Sequence, residues 1–148
     1  SGHAGLFASA NDLLTFAEWI LEQSAGRSGG QAVSKRPTLE VLRPPECPTV
    51  RPAVLSEFTR RQTVVPGSTR ALGWDTPSPG SSSGALLSPS SFGHTGFTGT
   101  SLWIDPERGV AIILLSNRVN PTRDNPRWAP IRGRIADLVM TSALEVTQ

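Results

Sequence analysis

The run Val110-Ala111-Ile112-Ile113-Leu114-Leu115 constrains the fold more than any other feature of this chain. An unbroken apolar stretch of this length predicts a strand covered on both faces. Immediately before it, Asp105-Pro106-Glu107-Arg108-Gly109 carries turn chemistry: proline pre-sets φ at an early turn position and glycine accepts positive φ. Residues 100–104 then read as the antiparallel neighbour. Residues 92–97 read as a third strand, inside the glycine-rich segment Phe92-Gly93-His94-Thr95-Gly96-Phe97-Thr98-Gly99-Thr100. Glycines at 93, 96 and 99 predict bare backbone that a ligand can approach, with His94 and Thr95 on the same edge.

Around this strand block the pattern is helical. Ser9 and Asp12 form a capping-box-like start, with Asp where Glu or Gln is usual. Leu13, Phe16, Ala17, Ile20 and Leu21 then predict an amphipathic helix over residues 10–23. A shorter helix is expected at 38–42, with Pro37 in its first turn and Pro44-Pro45 stopping it. Residues 44–70 lack a clear period and read as an irregular excursion. A short strand is expected at 72–75, followed by a Ser/Pro/Gly loop over 76–91. A closing helix over 131–144 is expected, with Ile135, Leu138, Val139 and Ser142 on one face. The class is α+β: helices first, an antiparallel strand block, then a closing helix. Residues 1–70 are expected to end a helical domain, and residues 71–148 to form the C-terminal part of a sheet domain.

Composition excludes several function classes. The 148 residues suit one ordinary domain with long loops, given 14 Gly and 13 Pro. The net charge is only +2, and Lys35 is the only lysine among 14 basic residues. These charges are scattered, so no basic stripe argues for nucleic acid. Cys47 is the single cysteine and cannot form an internal disulfide. No apolar run approaches membrane-spanning length. The start, Ser1-Gly2-His3-Ala4-Gly5, lacks both Met and a signal-peptide pattern and reads as cut from something longer.

Two stretches match G-x-S-x-G: residues 26–30 and residues 80–84. A nucleophile elbow needs a buried strand before its serine and a helix after it. Neither match has that context, and both read as flexible linkers. Two histidines and one cysteine, without H-E-x-x-H or C-x-x-C spacing, assemble no metal site. No Walker or dinucleotide fingerprint is present, so no cofactor is expected. His94 is assigned a site role because it stands beside Thr95 at a glycine-flanked strand end. His3 reads as the approach to the first helix. Trp19, Trp74, Trp103 and Trp128 read as packing residues, with a cleft lining as the alternative for Trp74 and Trp128. Arg118 and Arg123 are expected at the solvated surface, with contact to a substrate carboxylate as the alternative.

Residues 92–108, followed by Leu114-Leu115-Ser116-Asn117-Arg118, closely resemble the C-terminal part of the serine β-lactamase and penicillin-binding-protein-like hydrolases. The nearest branch holds class C β-lactamases, D-alanyl-D-alanine carboxypeptidases and esterases. Residues 1–12 resemble the segment these proteins carry at the end of their helical domain, and Leu72-Gly73-Trp74 the strand before their third motif. The resemblance implies part of a β-lactamase/transpeptidase-like fold with its N-terminal strands missing. It places His94-Thr95-Gly96 at the family's Lys-Thr-Gly motif, in its histidine variant. His94 and Thr95 then make electrostatic and hydrogen-bond contact with a small-molecule or peptide substrate, and the Phe97 N–H is one of two oxyanion donors. Such families are often periplasmic or secreted, although the sequence itself leaves the location open.

The departure from the family is large. Its nucleophile lies in S-x-x-K, where lysine helps remove the serine proton. Here position 32, three before Lys35, is Ala32, and the chain contains no tyrosine. Ser9-Ala10-Asn11 matches Ser-x-Asn by letters only, because N-capping accounts for Ser9. The chain therefore reads as a C-terminal segment without nucleophile or general base, and inactive alone. The alternative is a catalytically dead member acting as a binding module; a third reading pairs the chain with a separately encoded N-terminal half. Without that half, residues 110–115 or the closing helix should expose an apolar patch and an unpaired edge, favouring self-association. Histidine in place of lysine further implies activity sensitive to pH between about 5 and 8.

Overall fold

The computed structural model describes residues 5–25 and 50–146. His3, Lys35, Cys47, the helix expected at 38–42 and the first G-x-S-x-G match lie outside the described residues. The described elements are α1 (Ala10–Ala25), α2 (Pro52–Thr59), β1 (Phe92–Thr95), β2 (Ser101–Asp105), β3 (Val110–Leu114) and α3 (Trp128–Val146).

The predicted capping box starts α1. Asp12 N–H donates to Ser9 Oγ (3.3 Å), and the Asp12 carboxylate accepts the Ser9 N–H (2.7 Å) and hydroxyl (2.8 Å). Those bonds, the backbone one foremost, hold the Asp12 carboxyl below its usual range.

The three strands form one antiparallel sheet in the order β1-β2-β3. Strand alternation divides their side chains between two faces. On one face Phe92 and Ile104 pack with Ala17 and Ile20 of α1, and Trp74 meets Phe92 edge-on at 5.2 Å. On the other, Trp103 and Ile112 pack with Leu87 and with Ala136 and Met140 of α3. The sheet is thus sandwiched between α1 and α3. Trp103, opposite Gly93 in the register, lies over that glycine. A Cβ at position 93 would come within about 2.5 Å of the Trp103 ring and also strike the Leu102 carbonyl.

The turn between β2 and β3 is organised by Asp105, whose side chain is fully buried. Its carboxylate accepts the N–H groups of Glu107 (3.1 Å), Arg108 (3.1 Å) and Ser88 (2.9 Å), and the Ser88 hydroxyl (2.8 Å). Arg108 completes the set with an ion pair at 2.9 Å. Burial alone pushes this carboxyl up, but the Ser88 and Arg108 bonds outweigh it and hold the carboxyl below its usual range. Asp137 of α3 pins the same 76–91 loop elsewhere, accepting the N–H of Ala85 (2.6 Å) and Leu86 (3.0 Å).

Several expectations change. Residues 44–70 contain a helix: Pro52 opens α2, and Leu55 and Thr59 bury one turn apart. Residues 72–75 form a tight turn instead of a strand, closed by Ala71 N–H to the Trp74 carbonyl (2.9 Å) with Gly73 at φ 81°. Its arms meet as an Arg70–Asp75 bridge, and Asp75 pairs in turn with Gly93. The second G-x-S-x-G match is a packed loop, with Ser83 fully buried. Helix α3 buries Gly133, Ala136 and Met140, whereas Leu138 is 68% exposed. Small residues win that face because the Ser81 carbonyl approaches to 3.1 Å of where a Cβ on Gly133 would stand. In β3 only Ile112 is buried, since no described strand pairs with its outer edge.

Two stability measurements check this account. Gly93→Ala should cost about 1–3 kcal/mol by overpacking against Trp103, read from urea denaturation. A carboxyl with a depressed folded value stabilises fully above its unfolded value near 3.9 and loses that contribution as pH falls through the folded one. The denaturation midpoint should therefore drop between about pH 5 and pH 2. In Asp105→Asn that drop should shrink, and stability at neutral pH should fall by about 1–3 kcal/mol.

Candidate functional site

The candidate residues lie where β1 runs into its turn. Gly93 exchanges two backbone bonds with Asp75 (2.7 and 2.9 Å), while Gly96 N–H bonds the Thr100 carbonyl of the β2 side (2.8 Å). Odd positions of β1 therefore face the outer edge and even positions face β2. Asp75 covers the edge at Gly93 only.

Side-chain alternation separates the His-Thr pair. His94 is exposed and shares the α1 face with Phe92 and Leu102, whereas Thr95 is half-buried on the α3 face opposite Ser101. The two side chains do not converge, and only the Thr95 backbone faces the outer edge. His94 has instead a partner that the sequence reading missed. Its Nε2 lies 3.2 Å from Arg70 Nη1, and its Nδ1 lies 2.9 Å from the Thr95 carbonyl. A guanidinium only donates and a carbonyl only accepts. Nε2 must accept and Nδ1 must carry the proton, which is the neutral ring. Arg70 is itself held by Asp75, 3.0 Å from Nε to Oδ1. The Asp75 backbone bridge thus connects to His94 through Arg70.

Beyond Thr95 the chain makes a tight turn, with Gly99 N–H bonded to the Gly96 carbonyl at 3.1 Å. Gly99 has φ 116°, a conformation that favours glycine, and a Cβ there would strike Ser116 Oγ. The glycines thus serve the fold: Trp103 fills the space at Gly93 and Ser116 the space at Gly99.

The turn's carbonyls point inward, onto cations and an indole. Arg132 of α3 donates to Gly96 O (2.7 Å) and Gly99 O (3.2 Å), and Trp128 Nε1 also donates to Gly99 O (3.2 Å). Arg118 donates to Phe97 O (2.7 Å) and lies 4.9 Å from the centre of the Phe97 ring. The surface role expected for Arg118 is therefore incomplete, and Trp128 is a turn anchor. Burial, then the nearby Arg118 charge, push the Arg132 guanidinium below its usual value. No described residue accepts the Phe97 N–H. Because a peptide's C=O and N–H point opposite ways, an inward Gly96 carbonyl turns the Phe97 N–H outward.

Residues 1–137 match the family model described as Beta-lactamase. The chain belongs to the beta-lactamase family. It is 32% identical over 133 residues to proteins of Salmonella typhi and Salmonella paratyphi B named "Putative D-alanyl-D-alanine carboxypeptidase". That alignment spans 88% of this chain and 26% of each relative. A solved beta-lactamase from Mycobacterium bovis superposes with a TM-score of 0.59 at 25% identity, covering 92% of this chain and 44% of the other. The chain therefore corresponds to about a quarter of the curated relatives' length. Its α+β architecture is part of the beta-lactamase fold, as the resemblance implied.

Within this beta-lactamase-family chain, the contacts of Arg70, Arg118, Trp128 and Arg132 carry no sequence signal, because their partners are backbone carbonyls or a ring nitrogen distant in sequence. Among the described residues no helix is long and apolar enough to cross a membrane, and no three His, Cys, Asp or Glu side chains are grouped as metal ligands. ¹⁵N NMR of His94 should report the Nδ1–H tautomer, and Arg70→Ala should release the ring into a tautomer mixture. A predominant Nε2–H form in the unmutated chain would contradict the Arg70 contact.

Proposed function

We propose that this chain forms the C-terminal wall of a serine hydrolase cleft, completed by a segment carrying S-x-x-K that lies outside these 148 residues. The reaction is acyl transfer through an acyl-enzyme on an amide or ester: a β-lactam, a peptidoglycan peptide or a simple ester. The observation that carries this reading is the outward Phe97 N–H, without a described acceptor, directly after His-Thr-Gly on a strand edge. An N–H held in place before substrate arrives stabilises the negative charge of a tetrahedral intermediate at no reorganisation cost.

In this reading Phe97 supplies one oxyanion donor, and Thr95 contacts the substrate by hydrogen bonding. His94 bonds or polarises groups of the active-site network as a neutral ring, the form that Arg70 favours. Gly96 lets the Thr100 hydroxyl pack where a Cβ would stand, which keeps the turn tight beside them. The serine and its base come from the completing segment, as does the second oxyanion donor. The outer edge of β3, which pairs with no described strand, and its half-buried apolar residues are consistent with a surface that such a segment covers, or that associates with a second copy when it is absent.

Nitrocefin and p-nitrophenyl ester assays test this. The chain alone should give no turnover, and adding an N-terminal segment with S-x-x-K should restore acylation by a labelled penicillin. In the completed protein Phe97→Pro, which deletes the N–H, should lower kcat by about 10²–10³-fold. Turnover by the chain alone, abolished only by substitutions within it, would overturn the claim that the attacking serine comes from elsewhere. Complete absence of acylation in the completed protein would favour the binding-module reading.

A further inference from the structure

Two guanidinium groups reach the turn at 96–99 from the side away from the outer edge, and among the described residues neither is ion-paired. Arg118 takes the Phe97 carbonyl, whereas Arg132 takes the carbonyls of Gly96 and Gly99 with two prongs of one planar fork. The Gly96 carbonyl and the Phe97 N–H belong to the same peptide group. A cation at 2.7 Å from one end of that group acts on the other end in two ways. It fixes the plane, so the N–H keeps a single direction. It also draws electron density toward the carbonyl oxygen, leaving the N–H hydrogen more positive and a stronger donor, as in any chain of polarised hydrogen bonds.

We propose that Arg132 is a positioning residue for the oxyanion donor: from helix α3 it orients and polarises the Gly96–Phe97 peptide so that its N–H meets developing negative charge in the cleft. This rests on the acyl-transfer reading above for its catalytic meaning, but the electronic claim concerns this chain alone. The location of Arg132 favours the effect. Its side chain is partly desolvated, which strengthens a charge–dipole interaction. Trp128 shares Gly99 as a second donor, so the turn keeps an anchor when Arg132 changes.

The test is ¹H–¹⁵N and ¹³C NMR on the 148-residue chain. In Arg132→Gln, which removes the charge and shortens the reach, the Phe97 amide proton and the Gly96 carbonyl carbon should both move upfield. In Trp128→Phe, which deletes a donor to Gly99 only, both resonances should stay close to those of the unmutated chain. A Phe97 amide unmoved in folded Arg132→Gln, or moved equally by Trp128→Phe, overturns the proposal. If Arg132→Gln does not fold, the unmutated chain decides. Separate, slowly exchanging Arg132 Nη protons with contacts to Gly96 and Gly99 support the proposal, and a single averaged signal overturns it. None of these readouts needs turnover. A failure here is therefore distinct from a failure of the hydrolase reading, which Phe97→Pro decides in the completed protein.

Discussion

Trp103 lying across Gly93 is the contact on which the rest of the structure depends. It joins β1 to β2 through a side chain that is also the centre of the core beneath α3. Any side chain at 93 would strike that ring, so β1 can seat in this register only with glycine there. The same register puts Phe92 into the opposite core with α1 and hands the outer backbone of Gly93 to Asp75. From this one packing event follow the direction of His94, the edge position of Thr95 and the point at which the chain must turn.

The turn is then shaped by electrostatics from behind. Its carbonyls are gathered by Arg118, Trp128 and Arg132, residues that follow their partners by 21 to 36 positions in sequence. Carbonyls drawn inward leave the opposing N–H groups outward, because the peptide plane allows no other arrangement. On the strand side, Asp75 and Arg70 hold the His94 ring by the same logic of fixed donors and acceptors. The candidate site is thus a backbone edge whose geometry is set by charged side chains on its far side.

Much of this was legible beforehand where local chemistry dominates. The capping box at Ser9, the α1 face through Ala17 and Ile20, the strand block and the turn at 105–109 all follow from short-range spacing and turn residues. Other features were hidden because long-range packing overrides local pattern. Helix α2 is only eight residues and buries just Leu55 and Thr59, too little period to stand out. The α3 face was misread because hydrophobicity favoured Leu138 and Val139, whereas space beside the 76–91 loop admitted only Gly133 and Ala136. That loop looked like a linker by composition, yet two buried or half-buried carboxylates, Asp105 and Asp137, collect its N–H groups.

By itself the sequence determined the elements of the strand block, the family and the location of the His-Thr-Gly edge, because these depend on neighbours a few residues apart. Only the tertiary structure decided what that edge presents. Opposite faces for His94 and Thr95, a neutral ring against Arg70, and an outward Phe97 N–H backed by Arg132 all depend on groups brought together from distant positions. Hydrogen bonds to backbone carbonyls leave no residue-type signature, so no pattern of letters could announce them.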